Sequence, residues 1–237
     1  MLEAVAPEAD MGASLGLLSR IRQGGSPCFV CGLAPGAPAC AACHADFFNP
    51  NVIRCARCAL RIPAGEICGA CLKKRPAFDA ALSVGDYGLP LAGMIRALKD
   101  HARLELAAPL AELLAERAAN LPADTVIAAV PLAFERESER GFNQAAQLAR
   151  LLARRSGLRN SPDLLFRVRH SVPQQSLDLA ARAANVRGAY AVQGQAPARV
   201  AVVDDVMTTG ATLGEIAKVL KRAGAHHVTA LVLARTP

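Results

Sequence analysis

The chain predicts an α/β fold built on a mostly parallel, doubly wound sheet, with a small cysteine-rich module ahead of it. Three observations carry this. Short β-branched runs alternate with amphipathic helical segments from residue 80 onward, the order in which crossover helices join parallel strands. All eight cysteines fall between residues 28 and 71. The run Val200-Ala201-Val202-Val203-Asp204-Asp205-Val206-Met207-Thr208-Thr209-Gly210-Ala211-Thr212 sets apolar residues, a carboxylate pair and a small-residue loop in front of a helix. A length of 237 residues accommodates a small module and one α/β domain. The expected division is an N-terminal segment with helical potential over 1–27, the cysteine module over 28–75 and the α/β domain over 76–237.

The cysteines form four C-x-x-C pairs: Cys28/Cys31, Cys40/Cys43, Cys55/Cys58 and Cys68/Cys71. One such loop lets two thiolates grip a metal ion, and two loops complete the tetrahedral site that zinc prefers. Consecutive pairing gives a double zinc ribbon holding two structural zinc ions, with Pro35-Gly36 and Pro63-Ala64-Gly65 as turns. A cross-brace joining the first pair to the third is the alternative. His44 follows Cys43, but four cysteines per site leave it a bystander. Closely spaced C-x-x-C pairs suit metal better than loop-closing disulfides.

Beyond the Arg75-Pro76 junction, Ala80 to Tyr87 reads as a strand. Helices follow from Leu91 to Lys99 and from Leu106 to Asn120. Thr125 to Val130 is an apolar strand ending at Pro131. Asn143 is a good N-cap for a helix from Gln144 to Arg155, which Gly157 ends. Leu164 to Val168 and Ala189 to Val192 read as short strands flanking a polar loop, 169–188. Arg199 to Val203 and His227 to Leu233 supply the remaining strands. The helix after Thr212 is apolar at 213, 216, 217, 219 and 220, and Gly224 ends it.

Ligands of open α/β sheets sit beyond the carboxyl ends of the strands, and Asp204 and Asp205 are expected at that end. Thr208, Thr209, Gly210, Ala211 and Thr212 place backbone N–H groups and hydroxyls at a helix N-terminus, a cradle for a phosphate dianion. Two carboxylates beside it can accept hydrogen bonds from a vicinal diol. A ribose 5-phosphate carries both features.

Charge adds a second theme. The formal net charge is +7; eight thiolates and two zinc ions would bring it to about +3. From Arg136 to Arg187 there are ten arginines, no lysine and four acids. The cysteine module adds Arg54, Arg57, Arg61, Lys73, Lys74 and Arg75 against Glu66. Either patch can attract nucleic acid by charge, although only 4% of residues are aromatic, so base stacking has few platforms. No run of about 18 uninterrupted apolar residues exists, so no membrane insertion is expected. Leu15-Gly16-Leu17-Leu18 is short and preceded by acids, unlike a secretory signal. A cytoplasmic protein is expected.

The run from Val200 to Thr212 resembles the phosphoribosyl pyrophosphate (PRPP) signature of type I phosphoribosyltransferases. With it go Ile95-Arg96-Ala97-Leu98-Lys99, Val130-Pro131-Leu132 and Arg140-Gly141-Phe142-Asn143-Gln144. Pro173-Gln174-Gln175-Ser176-Leu177 and the stretch from Arg182 to Tyr190 complete the set. Together with the cysteine pairs they resemble the ComF family, named for competence protein F, over residues 28 to 237. The resemblance implies a double zinc ribbon and a type I phosphoribosyltransferase-like domain. Asp204 and Asp205 would hold the ribose hydroxyls, directly or through Mg²⁺, and 208–212 the 5′-phosphate. Pro131 and Leu132 would lie where such enzymes bind pyrophosphate, with Arg136, Arg140 and Lys99 as candidates for its charge. The loop 169–188 would close over the site. Purine-salvage relatives of the hypoxanthine-guanine type carry an Asp where Thr208 stands, and threonine is no general base near neutral pH. The amidotransferase domain of glutamine-using relatives has no counterpart in this sequence.

Three readings follow. The first is a PRPP-binding protein linked to natural competence and the handling of incoming single-stranded DNA. The second is an active phosphoribosyltransferase of nucleotide metabolism with an unknown acceptor. The third is a zinc-ribbon adaptor for a competence helicase.

Overall fold

The computed structural model describes residues 27–33, 38–168 and 186–237. The segment 1–26, the Pro35-Gly36 turn, the loop residues 169–185 with Arg169 and Arg182, and the stretch Pro173 to Leu177 lie outside them. Among the described residues no helix is long and apolar enough to cross a membrane.

Five parallel strands form the sheet: β1 (Ala80–Asp86), β2 (Val126–Ala129), β3 (Arg159–Asn160), β6 (Arg199–Met207) and β7 (His227–Arg235). Their spatial order is β1-β7-β6-β2-β3, and every pairing is parallel. Strands β4 (Leu165–Arg167) and β5 (Tyr190–Val192) make a separate antiparallel pair. Helices α1 (Ala41–Phe47) and α2 (Gly69–Lys73) belong to the cysteine module. The others are α3 (Leu91–Asp100), α4 (Ala107–Ala118), α5 (Phe134–Arg140), α6 (Gln144–Ser156) and α7 (Ala211–Arg222).

The alternation of strand side chains divides the core into two layers. Ala201 and Val203 of β6 face Leu110 and Leu114 of α4 and Leu148 and Leu152 of α6. Val200 and Val202 face Ile216 and Leu220 of α7, with Leu165 and Tyr190 of the antiparallel pair. Helices thus cover both faces, as the near-continuous apolar runs of β6 and β7 require. The α/β, doubly wound architecture read from the sequence is the one observed.

Several elements differ from the sequence reading. The strand expected to stop at Val203 runs on to Met207, because β7 pairs with it beyond the acids: Asp204 opposes Val232 and Met207 opposes Arg235. Asp204 and Asp205 therefore sit inside the strand rather than past its end, backbone pairing with a buried neighbour overriding their poor strand propensity. Strand β7 likewise extends to Arg235. The helix expected from Leu106 to Asn120 is a 3₁₀ turn over Leu104–Leu106 followed by α4. Strand β3 and helix α5 have no counterpart in the sequence reading; α5 reads Phe-Glu-Arg-Glu-Ser-Glu-Arg, with no apolar stripe to announce it.

Candidate ligand site and metal centres

The carboxyl end of β2 lies beside the middle of β6, just before the acid pair. Ala129 opposes Val203, and the Val130 N–H donates to the Val203 carbonyl at 3.0 Å, which carries the pairing into the Val130-Pro131-Leu132 turn. Asn143 fixes that turn from the other side. Its side-chain oxygen accepts from the Ala146 N–H at 3.1 Å, capping α6. Its Nδ2 donates to the Val130 carbonyl at 3.1 Å.

One residue further, Gln144 is buried and donates from Nε2 to Asp205 Oδ2 at 3.2 Å. Lys99, at the end of α3, places Nζ 3.9 Å from the same oxygen. Arg140 donates to Gln144 Oε1 at 3.4 Å and lies 3.9 Å from Asp100. Lys99 and Arg140 thus converge on the acid pair, Lys99 directly and Arg140 through Gln144. Arg136 is exposed on α5 and is not a partner of Asp205, Gln144 or Lys99. The sequence assigns Gln144 no role. A glutamine in the first turn of a helix carries no signal of its own, and only the convergence of α6 with β6 reveals it.

The acids also fold back on their own backbone. Asp204 Oδ1 accepts from the Asp205 N–H at 2.9 Å, and Asp205 Oδ1 from the Val206 N–H at 2.7 Å. Burial pushes the Asp204 carboxyl well above the usual range; the adjacent Asp205 charge adds to this, and the Asp205 N–H and Lys99 oppose it. Such a pair resists carrying two full charges until a cation or a set of donors arrives. A hard divalent ion with oxygen ligands fits that chemistry.

Past Met207 the chain turns through Thr208 and Thr209, both exposed, to Gly210 at φ +75°. That left-handed conformation suits glycine, and a Cβ there would sit 3.4 Å from Phe78 and from the Met207 sulfur. Helix α7 starts at Ala211, whose N–H donates to Thr209 Oγ1 at 3.2 Å, and has no side-chain cap. Thr212 adds its hydroxyl one residue into the helix. The loop therefore presents the first-turn N–H groups and threonine hydroxyls of a 12-residue helix beside the acid pair. Tyr190 of β5 lines the same side: burial raises its phenol, the Asp204 charge adds, and Arg167 and a hydrogen bond with Thr212 act against the rise. Arg167 stacks over the Tyr190 ring at 5.6 Å. Glu215, on α7, accepts from the Gly188 N–H at 2.9 Å and ties the approach to β5 onto the helix.

The eight sulfurs form two groups, Cys28/Cys31/Cys40/Cys43 and Cys55/Cys58/Cys68/Cys71, each with its ligand atoms within 4.8 Å of one another. Pairing is therefore consecutive, not cross-braced. Burial pushes the Cys28 thiol up, but N–H donors at Cys31, Cys40 and Val30 outweigh it and bring it to about 6. Cys55 is brought to about 7 in the same way, while burial and neighbouring sulfurs push Cys43 up to about 12. Four sulfurs this close do not all ionise on their own; a divalent cation lets them. Both groups can bind structural zinc. His44 lies outside the first group, with Nε2 2.8 Å from Glu116 Oε2.

Each group is docked on the α/β core. Phe48, next to the first group, is buried in the α4 layer. Its carbonyl accepts from Arg117, which also donates to the Val84 carbonyl at 3.1 Å. In the second group Arg54 pairs with Asp86 at 2.6 Å and donates to the Ala59 carbonyl at 3.1 Å. The Ala56 carbonyl accepts from the Ala81 N–H of β1 at 3.1 Å.

No family model matches the chain. DNA utilization protein YhgH of Salmonella typhi is 38% identical over 210 residues, covering 83% of this chain and 90% of that protein. Competence protein F of Haemophilus influenzae is 35% identical over 178 residues, covering 71% of this chain and 78% of that one. Among solved structures, an allosteric regulatory enzyme of purine biosynthesis matches 53% of this chain, at 23% identity and a TM-score of 0.37; the chain spans only 25% of that enzyme. Orotate phosphoribosyltransferase from Aeropyrum pernix matches 59% of this chain and 63% of its own, at 23% identity and a TM-score of 0.33. At 35–38% identity over most of its length, with its four C-x-x-C pairs gathered into two groups ahead of the α/β sheet, the chain belongs to the ComF family of competence protein F and DNA utilization protein YhgH.

Proposed function

We propose that the protein binds PRPP, or another ribose 5-phosphate ligand, at the end of β6, and that it serves competence-linked handling of single-stranded DNA. The observation that carries the ligand is the continuity of an oriented acid pair, a threonine-glycine loop and an uncapped helix N-terminus on one strand-loop-helix unit. Asp204 and Asp205 would take the ribose hydroxyls or a Mg²⁺ ion, and Thr208 to Thr212 the 5′-phosphate. Pro131, Leu132, Arg140 and Lys99 would face the diphosphate, with Arg136 at a greater remove. Asp204 and Asp205 would hold the Mg²⁺, which would supply positive charge to offset that of the diphosphate. The assignment of DNA handling rests on the relatives' names, competence protein F and DNA utilization protein.

The domain division proposed for this activity is 28–75 and 76–237. A cytoplasmic location and a helicase partner belong to the same reading. Titration calorimetry of PRPP with Mg²⁺ into wild type and an Asp204→Asn, Asp205→Asn double variant tests the ligand. A loss of at least tenfold in affinity is expected, and equal affinities would remove the central claim. Pyrophosphate release from PRPP across a panel of acceptors separates a turnover enzyme from a binding protein. On chemistry alone, Thr208 supplies no general base, so an acceptor of the hypoxanthine-guanine type is not expected.

A further inference from the structure

The geometry points to Arg235 as the positioning residue that couples the second cysteine group to the phosphate loop; this rests on the proposed ligand reading. Arg235 ends β7, between Asp86 of β1 and Met207 of β6. Its guanidinium is shared among backbone carbonyls. Nε donates to the Cys58 carbonyl at 3.0 Å. Nη1 donates to the Met207 carbonyl at 3.3 Å and also to the Thr208 carbonyl. One side chain thus holds a residue of the second metal group and the two residues that open the loop. The rigid guanidinium fork makes this possible where a lysine would offer a single point of charge.

The consequence for the loop follows from peptide geometry. In a planar trans unit the C=O and the next N–H point in opposite directions. Turning the Met207 and Thr208 carbonyls toward Arg235 therefore turns the N–H groups of Thr208 and Thr209 away from it, presenting them as donors. An apolar cluster lies alongside. Phe78, which a Cβ on Gly210 would touch, shares its cluster with Ala59, the neighbour of Cys58. The loop thus rests on the second cysteine group through the Arg235 side chain, with Phe78 of the shared apolar cluster beside Gly210. The first group docks on α4 and the later half of β1 instead.

The test uses the full-length chain, with PRPP and Mg²⁺ as the binding probe and amide hydrogen exchange at residues 208–212 as a ligand-free readout. Arg235→Met should retain two zinc ions, bind PRPP at least tenfold more weakly and exchange faster across 208–212. Arg235→Lys should recover part of both effects and carries the same comparison if the methionine variant does not fold. Cys68→Ser with Cys71→Ser should reproduce the loosened loop, and combining it with Arg235→Met should add little further loss, because both break one connection. Cys28→Ser with Cys31→Ser should leave the loop's exchange unchanged. Unaltered exchange in both Arg235 variants overturns the coupling, as does equal loosening from the first and second groups. Should wild type bind no PRPP, the ligand reading fails, while the exchange comparison still decides the role of Arg235.

Discussion

Asp204 is the residue whose protonation has the most to say about ligand binding. Its carboxyl is pushed well above the usual range by burial and by the charge of Asp205. A carboxyl raised in the folded state contributes stability while protonated and loses it as pH climbs through the raised value. Asp204→Asn should therefore stabilise the ligand-free protein by about 1 kcal/mol at pH 8 and by less at pH 5, read from thermal midpoints. A midpoint gain that is larger at pH 5 would contradict this sign. Binding of PRPP with Mg²⁺ should release protons, measurable by calorimetry in buffers of different ionisation enthalpy. Gln144 acts on the partner acid. Gln144→Leu leaves the buried Asp205 oxygen without its donor, so a stability loss of roughly 1–3 kcal/mol is expected together with weaker PRPP binding. A variant with wild-type stability and affinity would show that Gln144 does not hold Asp205.

Helix α6 shows how far sequence carries at the level of elements. Its N-cap Asn143, its apolar positions Leu148 and Leu152 and its terminal Gly157 are all legible, and Asn143→Ala should cost about 1 kcal/mol through the missing cap. The same substitution frees the Val130 carbonyl, so it should disturb the 130–132 turn more than an ordinary cap loss would. Helix α5 is not legible, since a sequence of alternating acids and arginines reads as a solvated loop. The length of β6 is not legible either: acids inside a strand look like its end unless the neighbouring strand is known. The two metal groups are readable from spacing alone, but their docking is not. Arg117 sits on a helix whose register gives no hint that it reaches the carbonyls of Phe48 and Val84. Cys28→Ser with Cys31→Ser should release one zinc ion of two, counted by native mass spectrometry. It should also lower the thermal midpoint of the whole chain, because Phe48 is part of the main core. A midpoint equal to wild type would mean the first group is an appendage.

Across the molecule, the basic residues of the cysteine module divide into two sets. Arg54 is committed to Asp86 and the Ala59 carbonyl, so its loss tests docking rather than nucleic-acid binding. Lys73, Lys74 and Arg75 are exposed and Arg57 partly so. Replacing these four with Ala should weaken single-stranded DNA binding with little sequence preference. It should also flatten the salt dependence by about one unit of slope for each phosphate no longer neutralised. Identical salt slopes for the variant and wild type, measured by fluorescence anisotropy, would place the DNA surface elsewhere. The second group has a further effect through Ala56, whose carbonyl lies against the outer side of β1. Strand β1 is at the border of the sheet, and an uncovered border strand is a template for pairing with other chains. Stripping the metal should therefore change the colloidal behaviour of the protein as well as its local order. On chelation, light scattering should rise with protein concentration, and unchanged scattering would show that β1 stays covered without the metal. The metal would then act as a guard against self-association, keeping a parallel sheet from recruiting its own copies.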